Sequence, residues 1–155
     1  MTAIAAVSKN WIIGDGKTNK MPWASHKEDL AFFKQQTLNK NLFFGRKTFE
    51  ELPFLMSRNI FVLSSINIFE AKNEKGLFGV FVKNIPDYSD FIICGGATIY
   101  RQFLPKCQSL FLTEFTFDAV GDVAFPFSKD EIEVMFPNKT KIKDISNGVI
   151  WQYSK

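Results

Sequence analysis

The chain has 155 residues, 46% apolar and 23% charged, which is typical of one globular domain able to bury about two-thirds of its unfolded surface. Its net charge of +3 comes from 19 basic and 16 acidic residues spread along the sequence, which argues against nucleic-acid binding and against a polybasic membrane segment. Two cysteines without CxxC spacing and a single histidine argue against a metal centre and against a histidine-dependent catalytic triad.

Short apolar runs recur along the chain and predict the strands of a mainly parallel central sheet. Most of them are too continuous for strands with one solvated face, so helices should cover both faces. The runs are 3–7, 42–44, 60–63, 80–82, 91–94 and 110–115. Helical spacing between the runs appears at Leu30, Phe33 and Thr37, at Phe49 and Leu52, and at Ile99, Phe103 and Leu104. This alternation predicts an α/β fold in one domain, residues 1–155.

Two local patterns predict how the first helix begins and how the chain ends. Ser25 followed three residues later by Glu28 matches a capping box, which puts Asp29 in the opening turn of the helix. Near the C-terminus, Asn147 and Gly148 lie between KIKDIS and VIWQYS and favour a type I′ hairpin turn. The hairpin should add an antiparallel edge to the sheet.

The N-terminal sequence MTAIAAVSKNW has no basic region and too short an apolar run for a signal peptide. Nowhere do 18 apolar residues follow one another, as a membrane-spanning helix requires. The sequence therefore predicts a soluble, cytoplasmic protein that does not bind a membrane.

Asp29 is the first candidate functional residue, because it stands beside Leu30 and one helical turn before Phe33. A carboxylate there is either solvated at the helix N-terminus, where the dipole favours it, or held in a pocket. Acidic residues in a first turn are common helix-start signals, so this position alone favours the first interpretation.

The segment ICGGATIY, residues 93–100, predicts a buried strand, the glycine pair Gly95 and Gly96, and then a helix. Glycine is required where the backbone takes positive φ or approaches a ligand closely, and helix N-terminal amides bind phosphate. A tight strand-to-helix turn without a ligand explains the same residues equally well. The spacing is not GxGxxG, so a standard Rossmann site is not supported.

The segment GRKT, residues 45–48, stands at another strand-to-helix junction. It resembles the end of a Walker A loop, but Lys40 stands where the first glycine belongs, which excludes a P-loop. Arg46 and Lys47 are either part of a phosphate cradle or solvated surface charges.

Two further segments have the composition of ligand-contacting loops. Ser64 and Ser65 follow the run 60–63 at the carboxyl edge, where open α/β sheets bind ligands, although a simple turn explains them too. Residues 13–23 combine two glycines, polar residues and a proline, and predict a mobile loop close to the first strand.

Taken in order, these pieces resemble the dihydrofolate reductase family across nearly the whole chain. Each stretch alone is weakly specific, whereas the ordered set is highly specific. The matching stretches are AIAAVS (3–8), IIG (12–14), MPW (21–23), DLAFFK (29–34), GRKTFEEL (45–52), residues 58–65, ICGGATIYRQFLP (93–105), LFLTEF (110–115) and GDVAFP (121–126).

The resemblance implies the fold of that family, a monomer, and NADPH-dependent reduction of 7,8-dihydrofolate. Asp29 is similar to the pterin-binding carboxylate, which in the family hydrogen-bonds the ring N3 and the 2-amino group, with the Thr113 hydroxyl as its partner. Apolar surroundings should raise its pKa by desolvation. Tyr100 is similar to the phenol that influences proton delivery to pterin N5, and Met21 and Trp23 to the end of the lid over the nicotinamide.

The resemblance also implies the residues that contact substrate and cofactor. Arg58 is similar to the arginine whose fork holds the α-carboxylate of the glutamate tail. The remaining substrate-binding residues are Ile4, Ala6, Leu30, Phe33, Leu52, Leu55 and Cys94. The cofactor-binding residues are Ala6, Ile13, Gly45, Arg46, Lys47, Thr48, Leu63, Ser64, Ser65, Gly95, Gly96, Ala97, Thr98 and Ile99. The Gly95-Gly96 peptide should be cis, and Gly121 and Asp122 should brace the lid.

The chain departs from the familiar bacterial pattern of the family at several points. One more residue separates Trp23 from Asp29, which leaves Glu28 as the alternative pocket acid, and the loop 14–21 is longer. Thr98 stands where an arginine often lies near the cofactor 2′-phosphate, so Arg46 and Lys47 must provide most of the NADPH selectivity. Residues 83–90 are too short for the usual helix and predict a turn.

Two rival hypotheses remain. A pyrimidine reductase of the riboflavin pathway shares the fold and cofactor, but DLAFFK and Arg58 fit an acyl-glutamate pterin better than a ribityl phosphate. The other rival is a non-catalytic binding or structural protein that keeps the fold. The residues that argue against it are Asp29, Phe33, Arg46, Arg58 and Thr113, all of which are intact.

Overall fold

The computed structural model describes residues 1–16, 22–23, 25–65, 69–85 and 90–155. Within these ranges the chain forms eleven strands, four α-helices and a 3₁₀ turn (Leu104–Lys106). The strands are β1 (Thr2–Val7), β2 (Ile12–Gly14), β3 (Asn41–Gly45), β4 (Asn59–Leu63), β5 (Glu70–Lys72), β6 (Phe78–Val82), β7 (Phe91–Ile93), β8 (Ser109–Phe115), β9 (Val123–Ala124), β10 (Asn138–Ile145) and β11 (Gly148–Ser154). The helices are α1 (Lys27–Thr37), α2 (Arg46–Glu51), α3 (Ala97–Phe103) and α4 (Lys129–Met135).

Nine strands form one sheet in the order β10-β11-β8-β1-β7-β3-β4-β6-β5. In this order, all neighbouring strands between β8 and β6 are parallel to each other. The strands at the two ends of the sheet, β10 and β11 on one side and β5 on the other, pair antiparallel. The mainly parallel sheet with an antiparallel C-terminal hairpin is thus confirmed. β2 and β9 form a separate two-stranded ribbon.

The two faces of the sheet follow from alternation along its central strands. Odd residues of β1 and β3 pack with α3 and α4, whereas their even residues pack with α1 and α2. The prediction of helices on both faces is confirmed. Since β1 lies at the centre of the sheet, all of its residues from Ala3 to Val7 are buried.

Helix α1 begins differently from the prediction. The N-cap is His26, whose ring nitrogen accepts a hydrogen bond from the Asp29 amide, so the Ser25 capping box is wrong. The Glu28 carboxylate accepts a hydrogen bond from the Ser146 amide and does not close a capping box on its own helix. Asp29 does lie in the first turn, as predicted. Helix α2 ends at Glu51, so Leu52 follows the helix as its C-cap.

The C-terminal hairpin is confirmed, but its turn lies one residue earlier than predicted. Ile145 pairs with Gly148, so Ser146 and Asn147 are the central residues, and only Asn147 has positive φ. A type I′ turn requires positive φ at both, so that assignment is wrong. Gly148 is instead required by packing, because a Cβ there would meet the Glu114 carbonyl at 3.0 Å.

The edge strand β10 is exposed along its length except at Ile145. Lys139 and Lys141 lie over the ring of Trp151 on β11, with Nζ 4.2 and 5.8 Å from the ring centre, and the pairing is irregular between Lys141 and Lys143. Charged side chains and bulges on an edge strand hinder pairing with a second sheet.

Helix α4 was not predicted, although the sequence carries its start signal. Ser128 and Glu131 form a complete capping box, the pattern that was assigned to Ser25. The helix packs inward through Ile132. The short strands β2, β5 and β9 were also missed.

Asn73 joins helix α2 to the β5–β6 hairpin through four hydrogen bonds. Its amide nitrogen donates to the carbonyls of Phe49 and Leu52, and its oxygen accepts from the amides of Lys75 and Leu77. We expect Asn73→Ala to lower the free energy of unfolding by about 1 to 3 kcal/mol, because partly buried backbone groups lose their partners. Urea denaturation measures the loss.

The matched control is Asn138→Ala, which removes one exposed bond to the Lys155 carbonyl and should cost under about 0.5 kcal/mol. Equal small losses for both variants would contradict the role assigned to Asn73.

Candidate active site

Asp29 and Thr113 meet at the centre of the molecule. Helix α1 packs on the even-numbered face of the sheet, and Thr113 on β8 lies beside Ala6 on β1, where it is buried. The Thr113 hydroxyl donates to Oδ1 of Asp29 at 2.7 Å, which confirms the predicted pairing. Burial raises the pKa of the Asp29 carboxyl, and the Thr113 hydrogen bond offsets part of that shift.

Glu28, the alternative pocket acid, points elsewhere. Its Oε1 accepts a 2.9 Å hydrogen bond from the Ser146 amide in the β10–β11 turn, and this bond lowers the pKa of Glu28. Of the two acids, only Asp29 contacts Thr113. Asp29 therefore has the geometry expected of the pocket acid.

Apolar side chains surround Asp29 on the same face of the sheet. Ile4 and Ala6 contribute to the buried cluster under α1, and Phe33 and Cys94 contact both this cluster and the one under α2. Of the other predicted substrate contacts, Leu52 and Leu55 are half-buried beside the second cluster, and Leu30 is 50% exposed.

Tyr100 lies beneath this pocket, on the opposite side of β1. Its hydroxyl donates to the Ile4 carbonyl at 2.6 Å, and burial raises its pKa well above the ordinary value. A Cβ at Gly95, where φ is +118°, would lie 3.2 Å from the same hydroxyl. The phenol is therefore held as a neutral donor between Ile4 and the glycine pair.

Arg58 has an incomplete set of hydrogen bonds. Its Nη1 donates to the Thr37 hydroxyl at 3.3 Å, and that hydroxyl donates in turn to the Phe33 carbonyl. Its Nε is buried and has no partner among the described residues. Desolvation lowers the pKa of the guanidinium. A buried donor without a partner is costly, so this side is suited to an anionic ligand group.

The two predicted strand-to-helix junctions contact each other. The amide of Gly45, the last residue of β3, donates to the carbonyl of Gly95 after β7 at 2.8 Å, and the Gly95-Gly96 peptide is cis as predicted. A Cβ at Gly96 would lie 3.0 Å from the Thr48 hydroxyl. Gly45 and Gly96 are the N-caps of α2 and α3, and neither helix has a side-chain hydrogen bond at its N-cap.

Charged and hydroxyl side chains line the same edge. Arg46 and Lys47 are exposed, and Arg46 pairs with Glu50 at 3.3 Å. Ser64 and Ser65 follow Leu63 at the end of the neighbouring strand β4, and Ala97, Thr98 and Ile99 open α3. The structure thus brings the predicted cofactor residues of three adjacent strands to one edge of the sheet.

The ribbon of β2 and β9 braces the start of the predicted lid. Ile13 lies in β2, and the Asp122 carboxylate accepts a 2.6 Å hydrogen bond from the Gly16 amide. Trp23 packs edge-on against Phe115, with ring centres 5.2 Å apart. Met21 and most of the loop 14–21 lie outside the described residues, as does half of the predicted turn at 83–90.

Gly121 has no room for a side chain, since a Cβ would lie 2.5 Å from the Gly14 carbonyl. We expect Gly121→Ala to push β2 and β9 apart, to cost about 1 to 3 kcal/mol of stability, and to speed amide hydrogen exchange in β2. Val120→Ala, a change at the exposed neighbour, is the control and should stay within about 0.5 kcal/mol. Unchanged exchange in Gly121→Ala would contradict this expectation.

Two residues with a place in this site were missed as functional candidates. His26 contacts the Asp29 backbone, and Thr37 holds Arg58. A histidine just before an acidic helix start was the available signal for the first, whereas Thr37 gave only helical spacing. In the described part of the chain, no His, Cys, Asp or Glu group is arranged to bind a metal, and no helix is long and apolar enough to cross a membrane.

Comparisons with known proteins agree with this geometry. The sequence profile of the dihydrofolate reductase family matches residues 1–154. A dihydrofolate reductase of Buchnera aphidicola subsp. Acyrthosiphon pisum is 39% identical over 133 residues, which cover 81% of this chain and 78% of that protein. The Haemophilus influenzae enzyme of the same name is 33% identical over 141 residues, with 89% and 86% covered.

Among solved structures, a dihydrofolate reductase from Enterococcus faecalis complexed with NADP(H) and RAB-propyl superposes with a TM-score of 0.74. It is 25% identical, and the match covers 99% of this chain and 94% of that one. The profile match alone spans almost every residue. The chain therefore belongs to the dihydrofolate reductase family.

Proposed function

We propose that this chain carries out the reaction of its family through four groups of residues: a pterin acid, an apolar pocket, a carboxylate clamp and a cofactor cradle. The reaction is the NADPH-dependent reduction of 7,8-dihydrofolate to 5,6,7,8-tetrahydrofolate. NADPH, when bound, supplies a hydride to pterin C6. A proton from solvent reaches N5, so the protein's own task is to position, desolvate and polarise the pterin.

Asp29 is the proposed pterin acid. Its Oδ1 is occupied by the Thr113 hydroxyl, so the other oxygen is oriented toward the pterin N3 and 2-amino group. Burial raises the pKa of the carboxyl, and hydrogen bonds from the pterin nitrogens would stabilise its charged form. Ile4, Ala6, Phe33 and Cys94 exclude water on the same face, and Tyr100 polarises the pocket from below.

Arg58 is the proposed clamp for the glutamate α-carboxylate. The support is its unpartnered, buried Nε and the Thr37 hydroxyl that holds its Nη1. A carboxylate would satisfy two parallel N–H donors of the guanidinium at once, the arrangement that Arg forms best. We assign the benzoyl ring to Leu52 and Leu55, which pack against the apolar cluster under α2.

The two strand-to-helix junctions that contact each other fit the cofactor, because the glycine pair between β7 and α3 forms a turn with no room for side chains. A Cβ at Gly95 would lie 3.2 Å from the Tyr100 hydroxyl and one at Gly96 would lie 3.0 Å from the Thr48 hydroxyl, so glycine is the residue that fits both turns. We assign the pyrophosphate to Gly95, Gly96, Ala97 and Thr98 and the remaining phosphate contacts to Arg46, Lys47, Thr48, Ser64 and Ser65. Arg46 must exchange Glu50 for the 2′-phosphate, so NADPH selectivity rests on it.

We also propose that residues 1–155 form one domain, and that the protein is a cytoplasmic monomer that binds neither nucleic acid nor membrane. Supporting observations are the dispersed charge and the lysine-covered edge strand β10, which disfavours sheet-to-sheet pairing.

The first experiment is the fall in absorbance at 340 nm when the purified protein meets NADPH and dihydrofolate. Methotrexate-sensitive oxidation that strongly favours NADPH over NADH is expected. NADPH binding without turnover would instead favour the pyrimidine reductase or the non-catalytic alternative, and these are separated by adding a ribitylamino-pyrimidine phosphate as substrate.

A further inference from the structure

His26, the only histidine of the chain, connects the beginning of α1 to the β10–β11 turn. Its Nδ1 accepts the Asp29 amide at 3.2 Å, and its Nε2 lies 2.6 Å from the Ser146 carbonyl oxygen. The imidazole ring also packs on Phe115, with ring centres 5.2 Å apart. The ring is thus fixed on both nitrogens and on one face.

These two contacts specify one protonation state of the ring. A nitrogen that accepts an amide hydrogen carries no proton, and a nitrogen that faces a carbonyl oxygen must carry one. In this geometry Nδ1 is the acceptor and Nε2 is the donor. Neutral imidazole can perform both functions at once, whereas the imidazolium would turn a second donor toward the Asp29 amide.

The same turn is held a second time by the neighbouring residue. The Ser146 amide donates to Glu28 while the Ser146 carbonyl accepts from His26, so both backbone groups of Ser146 serve the first turn of α1. Asp29 is consequently fixed at two points: its backbone amide by His26 and its carboxyl by Thr113.

We propose that His26 is a positioning residue for Asp29, which orients the pterin-binding carboxyl by anchoring its backbone to the C-terminal hairpin. The inference rests on the role proposed above for Asp29. It extends that role to a side chain that does not touch the substrate, and it links the hairpin to the chemistry through the imidazole ring, beside the Glu28 bond to the same turn.

The tautomer is measured directly by nitrogen NMR on ligand-free protein labelled with ¹⁵N-histidine. Because the chain has one histidine, the spectrum contains one pair of ring nitrogens. At neutral pH we expect a protonated Nε2 and an unprotonated Nδ1, and the Asp29→Asn variant should keep this pattern. A ring that exchanges between tautomers would overturn the proposal.

The catalytic consequence is measured with His26→Ala, His26→Asn and Ser128→Ala. Asparagine is a preferred N-cap, so His26→Asn restores an acceptor for the Asp29 amide. Ser128→Ala removes the equivalent cap from α4, far from the pocket, and controls for loss of a helix cap as such. In single turnovers we expect His26→Ala to slow hydride transfer about tenfold, a misplacement effect. Ser128→Ala should stay within about threefold of the unchanged protein, whereas His26→Asn, which restores the cap but not the bond to the Ser146 carbonyl, should remain slow.

Affinity and coupling distinguish positioning from general damage. NADPH affinity should change less than about twofold in His26→Ala, since most of the proposed cofactor residues lie away from the start of α1, at the ends of β3, β4 and β7. In an Asp29→Asn background, His26→Ala should slow hydride transfer no further, because the group that it positions is gone. Fully additive effects would overturn the proposal, as would equal rates for His26→Ala and Ser128→Ala.

The two hypotheses fail separately. If Asp29→Asn keeps its hydride-transfer rate, the role of Asp29 fails, and the inference about His26 fails with it. If Asp29→Asn is slow while His26→Ala matches the Ser128→Ala control, only the role of His26 fails.

Discussion

Asp29→Asn is expected to fold and to bind NADPH, but to lose at least about a hundredfold in hydride transfer, the usual cost of removing an acid–base group from an active site. Asparagine keeps an oxygen for the Thr113 hydroxyl but can neither carry the charge nor accept from both pterin nitrogens. Single-turnover NADPH oxidation is the measurement. Glu28→Gln, one residue earlier on α1, retains an acceptor for Ser146 and should react within a few fold of the unchanged protein.

The stability of Asp29→Asn tests the same carboxyl independently of catalysis. Burial raises the pKa of Asp29 in the folded protein, so the folded state prefers the protonated form and loses stability as pH rises through that raised pKa. Asparagine avoids this loss. We therefore expect the variant to be at least as stable as the parent at pH 7, with no advantage below about pH 4, where the unfolded carboxyl is also protonated. A less stable variant at pH 7, or turnover near normal, would remove Asp29 from the assigned role.

Arg58→Leu is expected to weaken dihydrofolate binding by about 2 to 5 kcal/mol, because a buried carboxylate would lose its charged partner. In affinity this is about a thirtyfold to several-thousandfold loss. NADPH binding should be unaffected, since most of the proposed cofactor residues lie at the carboxyl ends of β3, β4 and β7, whereas Arg58 precedes β4. Fluorescence titration with each ligand separates the two affinities.

Arg101→Leu makes the same chemical change at an exposed position near the end of α3 and serves as the control. It should leave dihydrofolate affinity within about twofold, since its charge is solvated. If Arg58→Leu weakened both ligands equally, the clamp would be wrong and a general structural role would replace it.

The parts of the fold that sequence predicted are those set by long apolar runs. Runs 3–7, 60–63 and 110–115 became β1, β4 and β8, because a strand buried on both faces has no alternative that satisfies its side chains and backbone together. The glycine pair was identifiable for a similar reason, since positive φ and close packing leave a residue type that can be recognised.

The misassigned features depend on competition between similar local choices. Ser25 was a better N-cap by propensity than His26, but only the histidine also reaches the Ser146 carbonyl, 120 residues later. The hairpin turn moved by one residue because Gly148 packs against β8. Contacts of this kind are decided by tertiary structure, which the local sequence does not contain.

The candidate site divides in the same way. Asp29, Arg58 and the glycine pair have chemistry that resemblance can carry over one residue at a time. Thr37 acts by holding Arg58, just as Asn73 outside the site holds the end of α2. Their hydroxyl and amide groups are common on any protein surface. Only their buried partners distinguish them.

The position of β1 in the sheet has a consequence for how the chain folds during its synthesis. β1 begins at Thr2 and pairs with β7 and β8, so its partners begin only at Phe91 and Ser109. At a synthesis rate of about 5 to 20 residues per second, the first strand waits roughly 5 to 20 s before a neighbour exists. During that time five consecutive apolar residues of β1 lack a partner strand. The central strand of the sheet is therefore synthesised first, whereas its pairing is completed late. A nascent chain of this protein should therefore depend on the shelter of the ribosome or of a chaperone more than its size suggests.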